Sequence, residues 1–294
     1  MTDQTSQLAL RQTPRILSIA GTDPTGGAGI QADLKSIAAN GGYGMAVISA
    51  LVAQNTRGVR SVHTPPVAFL RAQLNAVSDD VTIDAVKIGM LAQLDVITEV
   101  RSWLMECRPP VVVLDPVMVA TSGDRLLDRS AEQALRDLIP QVDLVTPNVP
   151  ELAVLLGEHP AATWAEALEQ GGRLSARTGV TVLVKGGHLN ETSCPDALVN
   201  TQGLLSHSVV EVALPRIRTR NTHGTGCSLS SAMATVQART GDWAQSLVEV
   251  KDWLQDALAH ADDLEVGQGN GPIHHFHQLF ARATAVSTLT AGVR

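Results

Sequence analysis

A glycine-rich turn in the C-terminal third of the chain carries residue types suited to chemistry. Residues 221–232 read Asn-Thr-His-Gly-Thr-Gly-Cys-Ser-Leu-Ser-Ser-Ala, so Gly224, Thr225 and Gly226 lead directly to Cys227 at the start of a predicted helix. The unpaired N–H groups of a helix N-terminus favour phosphate oxygens, and their field lowers the pKa of a thiol. The turn therefore predicts an anion site with a nucleophile or base beside it. The alternative is a capped helix that carries a buried cysteine.

The composition of the 294-residue chain is that of a well-buried globular protein, with 44% hydrophobic and 17% charged residues. A net charge of −7 and an aromatic content of 3% argue against a basic stacking surface for nucleic acid, so we expect small-molecule partners. Three separated cysteines without metal-ligand spacing fit a reducing cytoplasm. We expect no secretory signal in residues 1–13, and no membrane span in the glycine-broken uncharged run 36–56.

Alternating strand and helix patterns predict a parallel sheet. Strands are expected over 15–20, 45–53, 85–88, 111–114, 142–145 and 180–184, and helices over 29–40, 66–77, 94–105, 131–138 and 164–177. A hairpin across 196–200 and 204–212 precedes two helices that begin near Thr225 and Asp242. Since no linker interrupts the pattern, we predict one α/β domain over 14–280, with flexible termini at 1–13 and 281–294.

Polar and glycine motifs follow six of the predicted strands. They are Gly-Thr-Asp-Pro-Thr-Gly-Gly-Ala-Gly at 21–29, Gln-Asn at 54–55, Gly-Met at 89–90, Asp-Pro at 115–116, Thr-Pro-Asn at 146–148 with Glu151, and Lys-Gly-Gly-His at 185–188. Ligands of parallel sheets bind at the carboxyl ends of the strands, so we expect these motifs to converge on one site.

The common nucleotide motifs do not fit this chain. Residues 27–32 match G-x-G-x-x-A, but Gln54 stands where an acidic residue would hold the ribose. Gly21 and Gly26 resemble the outer glycines of a P-loop, yet Gly27 and Ala28 replace its Lys and Ser/Thr. The sequence also lacks a G-x-S-x-G elbow, an H-E-x-x-H motif and a protein-kinase catalytic loop. The function class that these exclusions leave open is a phosphotransferase that uses neither a P-loop nor a protein-kinase catalytic loop.

Taken together, the motifs resemble those of the ribokinase-like vitamin kinases, and among them the hydroxymethylpyrimidine/phosphomethylpyrimidine kinases of thiamine biosynthesis. The matching segments are 20–35, 53–59, 87–91, 146–151, 185–188, 224–227 and 271–276, within a resemblance that covers about 15–280. The resemblance implies a three-layer α/β/α sandwich of the ribokinase type with a mostly parallel central sheet. It also implies ATP and Mg²⁺ as cofactors, a homodimer, and two successive phosphorylations of 4-amino-5-hydroxymethyl-2-methylpyrimidine.

The resemblance assigns a substrate pocket to residues from several strand ends. Gln54 and Asp33 would read the edge of the aminopyrimidine, because an amide both donates and accepts and a carboxylate accepts from an amino group. The walls that suit a methylated ring would be Gly21, Ala28, Val52, Met90 and Val117. The alternatives are ordinary core for the walls, a solvated helix residue for Asp33 and a loop cap for Gln54.

The resemblance also assigns the phosphate side of the site. Phosphoryl transfer needs an anion hole, a cation and Mg²⁺. Residues 224–227 would form the hole, and Asn148 and Glu151 would organise Mg²⁺ directly or through water. Asp115 would be a further acid on the metal or on the phosphate side. Lys185 would be the cation for the ATP phosphates, and the alternative for it is a surface lysine at a strand end. Asn148 with Glu151 is also the pattern of a helix capping box, and both interpretations can hold.

Cys227 stands where the wider superfamily has an aspartate, which favours the pyrimidine-kinase branch. A partly ionised thiol would form the anion hole first and take the hydroxyl proton second. Residues 26–29 are a candidate cradle for the substrate phosphate. The rivals are a pyridoxal-type kinase, a pyrimidine-sensing protein without transfer activity and, less favoured by Gln54 and Met90, a sugar kinase.

Overall fold

The computed structural model describes residues 11–119, 126–189 and 192–281. Its strands are β1 (Arg15–Gly21), β2 (Tyr43–Asn55), β3 (Gly58–His63), β4 (Ala85–Ile88), β5 (Val112–Leu114), β6 (Leu144–Val145), β7 (Thr181–Lys185), β8 (Ser193–Val199) and β9 (Val209–Pro215). Its helices are α1 (Gly29–Ala39), α2 (Val67–Ser78), α3 (Leu94–Cys107), α4 (Glu132–Leu138), α5 (Val149–Leu156), α6 (Trp164–Thr178), α7 (Thr225–Thr240) and α8 (Trp243–Ala259).

The strands form one sheet in the order β3-β2-β1-β4-β5-β6-β7-β8-β9. Pairing is parallel from β2 to β7, and it is antiparallel where β3 joins β2 and where β8 and β9 extend the other edge. The carboxyl ends of the parallel strands therefore meet at one edge. The chain moves outward from β1 to β2 in one direction and from β4 to β7 in the other, so a topological switch point lies between β1 and β4.

Helices cover both faces of the sheet. One apolar core lies beneath α2 to α6, and the other lies beneath α1, α7 and α8. Alternating β1 residues reach the two cores, since Leu17 belongs to the first and Ile16 to the second. The predicted three-layer α/β/α sandwich with a mostly parallel central sheet is thereby confirmed.

Two elements were absent from the predicted pattern. The edge strand β3 has no buried residue, so it lacks the apolar run that marked the central strands. Helix α5 begins at the predicted capping box, in which Asn148 Oδ1 accepts from the Glu151 amide and Glu151 Oε2 accepts from the Asn148 amide, both at 2.9 Å. The helical interpretation of this pair is therefore correct.

The termini that the sequence predicts to be flexible lie outside the described residues, apart from 11–13 and 281. The single domain over 14–280 stays a prediction. None of the helices in the described ranges combines the length and the apolar character that a bilayer crossing needs.

Candidate active site

A cavity of about 650 Å³ opens at the carboxyl edge of the sheet. It is lined by all of the predicted site residues except one: Gly21, Ala28, Val52, Gln54, Met90, Asp115, Val117, Asn148, Glu151, Lys185, Gly224, Thr225, Gly226 and Cys227. The strand-end motifs therefore lie around one cavity, as the sequence predicts.

One end of this cavity is apolar. Val52 and Met90 belong to a small buried cluster against which Val117 packs. Gly21 fits closely beneath them, because a Cβ placed there would lie 3.3 Å from the Met90 sulphur and 3.5 Å from Val52 Cγ2. Gln54 lies at the rim, where its amide nitrogen donates to the Thr22 carbonyl at 3.3 Å. This end offers apolar walls and one polar amide to a flat ring.

Asp33 is the predicted residue that does not line the cavity. Its side chain is fully buried on α1, where it pairs with the equally buried Lys87 at 2.7 and 2.8 Å. Hydroxyls of Ser18 and Ser231 also donate to it, at 2.6 and 2.9 Å. With its oxygens engaged below the cavity, Asp33 cannot read the substrate edge as the sequence analysis expected.

The glycine turn places the start of α7 against the cavity. Gly224 has φ = +78°, and a Cβ there would lie 1.7 Å from the Gly27 carbonyl oxygen, so the position requires glycine. Among the described residues, the amides of Gly226 and Cys227 donate to no backbone or side-chain acceptor. These two N–H groups at the N-terminus of a 16-residue helix suit an anion.

The neighbouring loop 26–29 does not offer free amides. The buried carboxyl group or the carbonyl of Asp23 accepts the N–H groups of Thr25, Gly26, Gly27 and Ala28. The Gly29 N–H donates to the sulphur of Cys227. The expected cradle for the substrate phosphate is therefore not supported, because these donors already have partners inside the protein.

Charged side chains line the opposite end of the cavity. Lys185 Nζ lies 3.1 Å from Asp115 Oδ1, which also accepts from the Thr146 hydroxyl at 3.0 Å. Burial disfavours the Lys185 charge, but Asp115 and Glu151 outweigh it and raise the pKa of the ammonium. Gly226 lies directly above, where a Cβ would lie 3.4 Å from Lys185 Nζ. The cation, the acid and the free amides thus share one end of the cavity.

Glu151 is an unusual carboxyl group within this set. It is almost fully buried, and burial raises its pKa to about 7 although the Lys185 charge opposes the shift. The nearby Asp115 charge raises the pKa further, while the amides of Asn148 and Met118 donate to Glu151 and lower it. Glu151 therefore gains and loses a proton near neutral pH unless another cation approaches it.

Cys227 is half-buried and borders the cavity, but the expected lowering of its pKa is wrong. Burial raises the pKa of the thiol to about 11, and this outweighs the charge of Lys87 and the Gly29 N–H, which both lower it. The desolvation of a thiolate here exceeds the favourable field of one helix terminus. In the absence of ligands Cys227 is a neutral thiol at pH 7.

Several residues of the site were assigned no role from the sequence. His223, which precedes the glycine turn, contacts Asp23 at 2.8 Å. His188, Arg216, Asp196 and Lys251 also line the charged end, where Lys251 pairs with Asp196 at 2.5 Å. Lys251 comes from the middle of α8, and only the packing of that helix against the sheet edge brings it to the cavity.

The histidines near residue 275 do not form part of the cavity lining. His275 Nε2 lies 2.8 Å from the Ser228 hydroxyl, and its ring packs near Trp253 at 6.2 Å. No cluster of three or more metal-binding His, Cys, Asp or Glu side chains occurs in the described parts of the chain. His275 instead supports the first turn of α7 from behind.

Comparison with known proteins gives relatives over almost the whole chain. The Corynebacterium glutamicum thiamine biosynthesis multifunctional protein ThiED is 56% identical over 264 residues, which are 90% of this chain and 34% of that protein. The Escherichia coli hydroxymethylpyrimidine/phosphomethylpyrimidine kinase is 53% identical over 89% of this chain and 97% of its own length. The chain thus spans about a third of the corynebacterial proteins and nearly all of the second relative.

The fold and the site first define a class: this is a ribokinase-like α/β protein with a glycine turn at the start of α7. The solved structure of Bacillus subtilis pyridoxal kinase with ADP has the same fold, with a TM-score of 0.81 and 30% identity over 90% of this chain and 98% of that one. Residues 23–274 match the phosphomethylpyrimidine kinase family, and the chain belongs to that family. The resemblance given by the sequence motifs is therefore confirmed.

Proposed function

We propose that the protein is a bifunctional kinase that uses ATP to phosphorylate 4-amino-5-hydroxymethyl-2-methylpyrimidine to its monophosphate and then to its diphosphate, in thiamine diphosphate biosynthesis. The observation that carries the proposal is the single cavity, with Gln54 and Met90 at one end and Lys185 at the other. The free amides of Gly226 and Cys227 border the same space. An aromatic alcohol and a polyphosphate can therefore meet in it.

The names of the relatives support the choice of substrate. The proteins that are 53–56% identical are named for hydroxymethylpyrimidine and phosphomethylpyrimidine phosphorylation or for thiamine biosynthesis. In both proposed steps an oxygen of the substrate, first of an alcohol and then of a phosphate, attacks the γ-phosphorus of ATP and ADP leaves. The amides of residues 226 and 227 stabilise the negative charge on the transferred group.

The charged end fits Mg²⁺ as the partner of ATP. Mg²⁺ prefers oxygen ligands and keeps several waters, so it needs only one or two protein carboxylates. Asp115 and Glu151 repel one another, and burial disfavours the Glu151 anion, so a divalent cation would relieve both effects. Asn148 fixes the Glu151 side chain through the capping box and is the third member of this proposed site. Held by these residues, Mg²⁺ would supply positive charge that offsets the charge of the ATP phosphates.

Cys227 acts in the proposal as part of the anion hole, and as a base only in a second role. A neutral thiol cannot accept the hydroxyl proton until it is ionised, and burial opposes that ionisation. A loose phosphoryl-transfer transition state needs little base assistance, so positioning by the thiol and its amide suffices.

A pyridoxal-type kinase is the second candidate, because the fold is shared with the Bacillus subtilis enzyme at 30% identity. Pyridoxine also offers a hydroxymethyl group on an aromatic ring. A pyrimidine-sensing protein that has lost transfer is less favoured, since Lys185, Asp115 and the free amides of the turn remain together.

The deciding experiment measures Mg²⁺-dependent ADP release by the purified protein with four substrates in parallel: the hydroxymethylpyrimidine, its monophosphate, pyridoxine and ribose. Mass spectrometry identifies the products. The proposal requires mono- and diphosphate products and a kcat/KM for the pyrimidines well above that for pyridoxine. Preference for pyridoxine would support the second candidate, and binding of the pyrimidine without any transfer would support the sensor.

A homodimer and a cytoplasmic location belong to the same proposal. The β2–β3 edge exposes Tyr43, Leu51 and Val62, with 62, 48 and 42% of their surfaces accessible. Exposed apolar side chains in the outermost strands of a sheet favour contact with another chain, and a second copy of this protein is the occupant that we propose.

A further inference from the structure

A buried ion pair beneath the cavity has no part in the function proposed so far. The side chains of Lys87 on β4 and Asp33 on α1 are both fully inaccessible, and both carboxylate oxygens contact the ammonium at 2.7–2.8 Å. Hydroxyls of Ser18 and Ser231 complete the shell around Asp33. Burying two charges costs solvation that their attraction only partly offsets, so such a pair is a poor device for stability alone. The position of this ion pair beneath the cavity therefore suggests a role other than stability.

The pair lies one helical turn behind Cys227. Ser231, which donates to Asp33, follows Cys227 by four residues on α7, so the two side chains share one face of the helix about 5–6 Å apart. Helix α1 is fixed to the same turn by the Ser36 hydroxyl, which donates to the Ser228 carbonyl at 2.7 Å. Asp33 and Lys87 are thus held at a fixed position relative to the thiol.

The ammonium is the end of the pair that acts more strongly on the thiol. The Lys87 charge lowers the pKa of Cys227, and this effect is larger than the opposite effect of Asp33 or of Asp115 taken singly. Lys87 Nζ also lies directly under the backbone of Gly89, where a Cβ would come within 2.8 Å of it. A glycine at the end of β4 therefore leaves room for the ammonium just below the cavity floor.

We propose that the Lys87–Asp33 pair is a positioning element for Cys227, which holds a positive charge behind the thiol and so sets its reactivity. Asp33 keeps the lysine charged and oriented, and Lys87 favours negative charge at the start of α7. The same arrangement assists any anion bound at the turn, including a transferring phosphoryl group.

The test is the rate at which iodoacetamide alkylates Cys227, followed by peptide mass spectrometry over a range of pH. Lys87→Met removes the ammonium, so we expect alkylation about tenfold slower at pH 8, the change in thiolate that one pKa unit makes. Asp33→Asn keeps the shape but removes the main anion that keeps the buried Lys87 charged, so the lysine tends to lose its proton and we expect slower alkylation here as well. A purely structural role would instead speed alkylation in both variants, because looser packing would expose Cys227 to the reagent.

Internal controls separate charge from unfolding. Cys107, at the end of α3, is alkylated in the same sample and reports global loosening. Lys251→Met removes a different buried ammonium, which acts on Cys194, and should leave the Cys227 rate unchanged. If the Lys87→Met variant does not fold, the alkylation rate of Cys227 in the Asp33→Asn variant tests the proposal by itself.

Unchanged or faster alkylation of Cys227 in either variant would overturn the proposal. The assay uses the full chain and needs neither nucleotide nor pyrimidine. Its outcome is therefore independent of the kinase activity proposed above, and the two can fail separately.

Discussion

The Nε2 atom of His223 lies 2.8 Å from Oδ2 of Asp23, and this contact joins the two glycine segments that border the cavity. Asp23 organises the first segment, because it accepts the amides of Gly27 and Ala28 at 3.1 and 2.8 Å. His223 immediately precedes Gly224 in the second segment. The contact therefore sets the spacing between the loop at the substrate end and the turn at the phosphate end.

The first prediction concerns the stability that this contact supplies. Although burial raises the pKa of Asp23, hydrogen bonds from His223 and Thr25 outweigh it and lower the pKa below its usual 3.8. Asp23→Asn should lower the free energy of unfolding at pH 7 by about 2–3 kcal/mol, since one buried charged acceptor loses several donors. Urea denaturation measures the difference.

The pH dependence of that difference has a definite sign. A carboxyl group whose pKa is lower in the folded state stabilises the protein above the unfolded pKa, and the contribution is lost as pH falls through the folded value. The gap between wild type and Asp23→Asn should therefore shrink below about pH 4. A gap that is constant from pH 3 to pH 7 would contradict an ionised Asp23.

The second prediction concerns the thiol in transfer. Cys227→Ala should lower kcat by at least about a hundredfold while the KM for ATP changes little, because the proposed mechanism places the thiol at the transferred group and not at the adenosine. Steady-state kinetics with the hydroxymethylpyrimidine provide the measurement. Cys107→Ser, at the far end of α3, is the matched control and should keep the wild-type kcat. Unchanged turnover of Cys227→Ala would remove the thiol from the mechanism.

The architecture was predictable because local sequence signals agreed with the fold. The strands β1, β4 and β7 are short apolar runs that end in glycine or polar motifs, as strands buried on both faces should be. Strand β3 was missed since an exposed edge strand has no apolar run. The capping pattern of Asn148 and Glu151 was readable because it spans only three residues.

The electrostatics of the site were not predictable in the same way. Asp33 was predicted to read the substrate edge, with a solvated helix residue as the alternative. Its partner is instead Lys87, which is 54 residues away and meets it only through the pairing of β1 with β4. The pKa of Cys227 was expected to fall with the helix field, whereas burial raises it. Partner and burial are properties of the tertiary fold, and neither is encoded in the spacing of a motif.

The third prediction concerns Glu151 and Mg²⁺. Because its pKa is raised to about 7, Glu151 is largely protonated at pH 6 and ionised at pH 8. Mg²⁺ should therefore raise the melting temperature of the ATP-bound protein more at pH 8 than at pH 6. Glu151→Gln should abolish this pH dependence, as thermal unfolding with and without Mg²⁺ can measure.

In the protein without Mg²⁺, the ionisation of Glu151 should lower the stability as pH rises. A carboxyl group with a raised pKa in the folded state costs stability as pH rises from the unfolded to the folded value. Wild type without Mg²⁺ should lose stability relative to Glu151→Gln between about pH 4.5 and pH 7. A parallel pH dependence of the two proteins would show that Glu151 titrates normally.

The fourth prediction concerns the sheet edge. Leu51→Glu places a charge on the exposed β2–β3 edge and should shift a dimer to a monomer in sedimentation velocity experiments. Met105→Glu is the matched control, since Met105 is equally exposed, at 50%, but lies on α3. A monomeric wild-type protein, or a dimer that survives Leu51→Glu, would exclude this edge as the interface.

The fifth prediction concerns the choice between a pyrimidine and a pyridine substrate. Gln54 is the polar side chain at the rim of the apolar end, and its amide nitrogen is held toward the Thr22 carbonyl. An amide reads an aminopyrimidine by donating to a ring nitrogen or accepting from the amino group, whereas pyridoxine has no amino group. Gln54→Leu should therefore lower kcat/KM for the hydroxymethylpyrimidine by about tenfold or more, at about 1.4 kcal/mol per tenfold, and lower kcat/KM for pyridoxine by a smaller factor.

Asn55→Leu is the matched control. The side chain of Asn55 does not line the cavity, so this variant should keep kcat/KM near the wild-type value for both substrates. Equal losses for both substrates with Gln54→Leu would mean that Gln54 supports the loop rather than reading the ring.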